Sequence, residues 1–123
     1  MAFIRLAHVI FFADSMFGLA PQAVAWSNQL GADWMEARAV TLPVPAASAL
    51  TWADLWVTLD AAALAVLPPV PHGVQHRHYP FQPELYGEQV EFERLRQRVA
   101  GMVSGMRMLQ RASLMNENFS DEE

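Results

Sequence analysis

The chain has 123 residues, 53% of them apolar and 17% charged, which excludes a disordered chain and bounds the protein to about one small domain. Eight arginines, no lysine and thirteen acidic residues give a net charge of −5, with no basic stripe beyond Arg94, Arg96 and Arg98, so nucleic acid is not an expected partner. The absence of cysteine excludes a disulfide framework, a thiolate zinc site and a cysteine nucleophile.

The first 25 residues loosely mimic a secretion signal, with Arg5, the apolar Val9–Phe12 and the small residues Ala23-Val24-Ala25. His8 and Asp14 interrupt it, so a buried strand running into a helix is the expectation. Leu6 to Ala13 reads as that strand, rich in β-branched and aromatic residues and apolar on both faces. Asp14 to Gly18 is a loop, and Ala20 to Leu30 a helix, with Pro21 in its first turn and Gly31 at its stop. Leu19, Ala23, Trp26 and Leu30 recur at helical spacing and should face the core.

Trp34 to Leu42 reads as a second strand, at a sheet edge, ended by Pro43 and Pro45. Ala46 to Trp52 suggests a helical turn or two, Leu55 to Leu59 a third strand, and Ala61 to Leu67 a short helix stopped by Pro68-Pro69. Val74 to Phe81 is a fourth, less apolar strand. Glu88 to about Met115 is the longest helix, its apolar face running from Val90 and Phe92 through Leu95, Val99, Met102, Val103 and Met106 to Leu109. Glu91 with Arg94 and Glu93 with Arg96 support it on the polar side. Gly101 and Gly105 are expected to permit close packing on the sheet. A single domain over residues 1–115 with an acidic, frayed tail at 116–123 is expected.

Strands alternating with helices imply an α/β fold: a small doubly wound parallel sheet of four strands, order 2-1-3-4, with helices on both faces. In such sheets the site lies at the carboxyl ends of the strands, at the switch point, which here is the loop after the first strand. No apolar run is long enough to span a bilayer, and no membrane partner is expected. The cysteine-free composition fits a cytoplasmic location.

The segment ADSMFGLAP, from Ala13 to Pro21, resembles the phosphate-binding loop of the low-molecular-weight protein tyrosine phosphatases and the thioredoxin-coupled arsenate reductases. The family pattern is a strand, then Cys, five residues, Arg, Ser and often Pro, opening a helix. Ala13 stands at the nucleophilic cysteine, Met16 at an asparagine that shapes the loop, Leu19 at the arginine and Ala20 at the serine, while Pro21 matches. Ala53 to Asp60 (ADLWVTLD) is similar to the family's third strand, and His78 to Pro83 (HYPFQP) to an aromatic segment that ends in Asp-Pro. Gln82 stands at the aspartate of that pair, the family's general acid. The last helix, with EFERLRQRV, looks like the closing family helix. Between the second and third strands only Pro43 to Asp54 is left for the crossover, near the minimum for a parallel connection.

The resemblance implies a thiolate that attacks phosphorus or arsenic, held over a ring of loop N–H groups. Ala13, Leu19 and Gln82 supply none of the nucleophile, the bidentate cation or the proton donor. The expectation is therefore a chain that is not an enzyme, a catalytically inactive relative acting as a binding or regulatory module. Its loop, residues Ala13, Asp14, Ser15, Met16, Phe17, Gly18, Leu19 and Ala20, is expected to bind oxyanions weakly or not at all, because Asp14 adds negative charge and the arginine is gone. Ser15 lacks an obvious base to activate it as a replacement nucleophile. No cofactor is expected. The short crossover should leave one sheet face thinly covered, and a second copy of the chain is the simplest cover. The alternative is a repurposed site with a new ligand-binding, metal-binding or enzymatic role, either at the same crevice or at His76 and His78, which share a face of the fourth strand, with His72 from the loop before it.

Overall fold

The computed structural model describes residues 6–14, 16–45 and 50–121, with side chains through residue 108. Four strands and four helices follow in the order β1 (Ala7–Ala13), α1 (Leu19–Gly31), β2 (Met35–Thr41), β3 (Leu55–Thr58), α2 (Ala61–Val66), β4 (Gln75–His78), α3 (Pro83–Tyr86) and α4 (Glu88–Asp121). All strand pairs are parallel and the sheet order is β2-β1-β3-β4, as the alternation of elements implies.

β1 is central and buried on both faces, which is why it is apolar at successive rather than alternate positions. Val9, Phe11 and Ala13 face α1 and α4, where they meet Leu19, Ala23, Leu95, Val99 and Val103. Ile10 and Phe12 face the other way, with Trp56 of β3, against Leu50, Ala53 and Ala63. Phe12 and Trp56 meet edge to face at 5.4 Å, and the indole N–H of Trp56 donates to the Leu50 carbonyl at 3.3 Å. Each such aromatic ring adds roughly 1.5–3 kcal/mol on removal from water.

This second face corrects one expectation. The short connection between β2 and β3 does not leave the sheet bare: Ile10, Phe12 and Trp56 are fully buried. Leu42, Val44 and Trp52 from the connection and α2 from above make the cover. This face therefore needs no second copy of the chain to cover it.

Gly31 closes α1 where the helix passes closest to its neighbours. A Cβ there would stand 2.8 Å from Met35 Cγ and 2.9 Å from Val103 Cγ1, so glycine lets α1 sit against β2 and α4. Gly101 and Gly105 do not have the packing role expected of them, since nothing lies within 4 Å of a Cβ at either. β4 is shorter than the predicted 74–81 because Tyr79 and Phe81 leave the ladder to cap it: their N–H groups donate to Thr58 and Leu59 carbonyls. α4 continues to Asp121, past the predicted end at Met115. Residues 46–49, where a helical turn was expected, lie outside the described residues; Leu50 to Trp52 form a turn. No described helix is long and apolar enough to cross a membrane.

Candidate functional site

The carboxyl ends of β1 and β3 open on a crevice of about 250 Å³, at the switch point where β1 sends its chain one way and β3 the other. Asp14, Met16, Phe17 and Leu19 line it from the loop and α1, Asp60 from the end of β3, and Phe81, Gln82 and Glu84 from the far side. Ser15 lies outside the described residues.

The loop turns into α1 through Gly18, whose φ of 67° is left-handed. A Cβ there would meet nothing within 4 Å, so the backbone angle and not space calls for glycine. The residues at the family's key positions are turned into the core. Ala13 and Ala20 are fully buried and Leu19 nearly so, packed with Phe11 and Leu95 among others. Met16 is exposed and Phe17 half-buried against the core. Gln82 is exposed at the rim, and its backbone N–H, not its side chain, is the group held in place.

Two carboxylates occupy donors that a bound oxyanion would use. The Asp14 N–H donates to Asp60 Oδ2 at 2.8 Å, and the Met16 N–H to Asp14 Oδ1 at 3.1 Å. Asp60 also caps α2, accepting from the Ala63 N–H at 2.8 Å. The positive features that remain are weak. α1 begins without a side-chain cap, but Pro21 in its first turn has no N–H to offer. A helix terminus carries about half a unit of positive charge, against a full negative charge on each of Asp14, Asp60 and Glu84. No arginine is found among the described lining residues.

The far wall is fixed from α4. Glu91 is fully buried and accepts from the Gln82 N–H and from Arg94 Nη1, each at 2.6 Å. Arg94 also lies over Phe81, at 5.8 Å, and Arg98 over Tyr79, at 5.4 Å. The Glu91–Arg94 pair was readable from helical spacing; the burial of Glu91 was not. Asp60 was also missed as a site residue, although an Asp directly before an alanine-rich run is an N-cap signal.

The histidines divide. His76 and His78 share a face of β4, as predicted, and both rings reach the Thr58 hydroxyl. His72 is exposed in the turn before β4 and does not join them; among the described residues no three His, Cys, Asp or Glu side chains are grouped to hold a metal. Burial, and then the charge of His78, push the His76 imidazole below its usual pKa.

No protein-family model matches the sequence, and no curated protein matches it. Solved structures do share the fold. The thioredoxin-dependent arsenate reductase of Corynebacterium glutamicum superposes with a TM-score of 0.65 at 14% identity over 84% of this chain. The chain spans 63% of that protein's length. An arsenate reductase in its oxidised state superposes with a TM-score of 0.58 at 17% identity, over 85% of this chain and 99% of its own. The chain therefore has the α/β fold of the arsenate reductases, in agreement with the resemblance carried by its loop and third strand.

That finding overturns the expectation that the chain is not an enzyme. The neighbours in fold are reductases, and three replaced side chains do not establish that activity has been lost. What the sequence fixes is narrower: with no cysteine, the chain supplies no thiolate of its own.

Proposed function

We propose that the protein is a distant relative of the arsenate reductases that serves as a binding or regulatory module, its crevice adapted to a small organic cation instead of an oxyanion. The observation that carries this reading is the pair of internal carboxylates. Asp14 and Asp60 accept from two of the loop's own N–H groups, those of Met16 and Asp14, so these two donors are spent on the chain's own negative charge. Glu84 at the rim adds to it, and Phe17, Leu19 and Phe81 give the cavity an apolar floor. An amine, amidine or guanidine carrying an aromatic or aliphatic portion satisfies both features. A cytoplasmic location belongs to the same reading.

Amide-resolved NMR titration of the full chain tests it, with benzamidine and inorganic phosphate as probes. Saturable shifts at Asp14, Gly18 and Gln82 with benzamidine and none with phosphate are expected. Saturable shifts with phosphate at the same amides, or none with benzamidine, would overturn the reading.

A further inference from the structure

The crevice is smaller than a pocket for a free metabolite. Sites that enclose a small molecule usually hold roughly 300–1,000 Å³, and this one holds about 250 Å³. That is room for one long side chain. Its lining carries charge: Asp14, Asp60 and Glu84 supply three carboxylates, beside the aromatic rings of Phe17 and Phe81. Two helices start at its wall. Ala61 and Ala62 of α2 line it, and so do Pro83 and Glu84 of α3.

Beyond that wall both helices expose large apolar side chains. On α2, Leu64 is 41% exposed, one turn on from Ala61 and on the same side of the helix. On α3, Leu85 and Tyr86 are 66% and 56% exposed, directly after Glu84. Met16 lines the crevice and is itself 75% exposed. Single exposed apolar residues are ordinary, but these come from three chain segments that all border one acidic cavity. An anchor side chain in a pocket, ringed by contacts that exclude water, is the anatomy of a protein-binding hot spot, and arginine is among its favoured anchors.

We infer that the crevice takes an arginine side chain of a partner polypeptide, flanked there by apolar residues that lie on α2 and α3. The inference rests on the cation reading above and narrows it: the organic cation is the guanidinium of a protein. A guanidinium suits this lining better than an ammonium does. It offers five N–H donors in a plane, is the more weakly hydrated of the two, and stacks on aromatic faces such as those of Phe17 and Phe81. Asp14 Oδ1 and both Asp60 oxygens each accept one backbone N–H, which leaves each a second lone pair for a guanidinium donor. The net charge of −5 steers a basic partner toward the chain.

Calorimetric titration of the full chain tests the inference. The probes are benzamidine, Nα-acetylarginine amide, the acetylated peptide amide Ala-Leu-Arg-Leu-Ala, and the same peptide with uncharged citrulline in place of arginine. The arginine peptide is expected to bind about tenfold more tightly than Nα-acetylarginine amide, and the citrulline peptide to show no saturable binding. Leu64→Gln and Leu85→Gln, both outside the crevice lining, should each weaken the arginine peptide roughly threefold to tenfold. Benzamidine should bind both variants as it binds the parent, which also shows that they are folded. Three results would each overturn the inference while benzamidine binding keeps the cation reading intact: an arginine peptide no tighter than Nα-acetylarginine amide, a citrulline peptide that binds equally well, or peptide affinity unmoved in both variants. A parent chain that does not bind benzamidine would remove the cation reading, and this inference with it.

Discussion

Asp60 does two jobs with one carboxylate. Oδ1 closes the first turn of α2 and Oδ2 holds the loop at Asp14. Removing an N-cap aspartate costs about 1 kcal/mol, and a second charge-assisted bond adds a comparable amount. Asp60→Ala is therefore expected to lower stability by roughly 2 kcal/mol, measured as a shift of the urea midpoint. It also frees the Asp14 N–H and removes a negative charge from the crevice, so phosphate should now shift the loop amides. A variant that loses stability yet stays blind to phosphate would show that Asp60 is only a cap. The cap was legible in the sequence; its second bond, to a residue 46 positions away, depends on the pairing of β1 with β3 and was not. Glu91 teaches the same lesson. Helical spacing places it on the polar side of α4, but the chain segment carrying Gln82 folds over it, and only tertiary structure supplies that backbone N–H.

Among the elements, those with a strong period were legible and those without were not. β1 is apolar through successive residues and is buried as the pattern implies, and Leu95, Val99, Met102 and Val103 of α4 are buried on the expected face, whereas Val90 of that face and Leu30 of α1 are exposed. The cover over Ile10, Phe12 and Trp56 comes from a connection with no period, Leu42, Val44, Leu50 and Ala53, so nothing in the pattern announced it. α3 has only four residues and is equally silent. β4 carries the least apolar surface of the strands and owes its place to the ladder with β3 and to its histidines. Those histidines make the edge sensitive to acid. His76 has a lowered pKa in the fold, mainly through burial, while the unfolded chain titrates near 6.5. The unfolded state then binds more protons, so this contribution is intact above about pH 6.5 and is lost as the pH falls through the lower folded value. In chelator, the urea midpoint is expected to decline below pH 6.5 more steeply in the parent chain than in His76→Gln. Equal slopes would mean that the ring does not resist protonation.

The molecule as a whole is acidic, and no arginine is among the described residues that line the crevice. Arg94 and Arg98 lie over Phe81 and Tyr79 on the α4 side, and Arg107 over Trp34 near the far end of the sheet. Arg38 lies over Trp52 beside the start of β1. The carboxyl ends of β1 and β3, by contrast, gather Asp14, Asp60 and Glu84. A net charge of −5 adds a general attraction for cations, and the crevice focuses it. Such fields are felt over about 10 Å at 0.1 M salt and about 30 Å at 0.01 M. Affinity for benzamidine should accordingly fall as sodium chloride rises from 10 to about 300 mM, and most of the fall should occur where the screening length drops below the size of the domain. Asp14→Asn and Glu84→Gln each remove one lining charge and should flatten that dependence without altering the shape of the cavity. Calorimetric titration at four salt concentrations measures the slope for parent and variants. A slope that is the same in all three would locate the attraction in the general charge of the chain, and would leave the apolar floor of Phe17, Leu19 and Phe81 as the part of the crevice that selects its ligand.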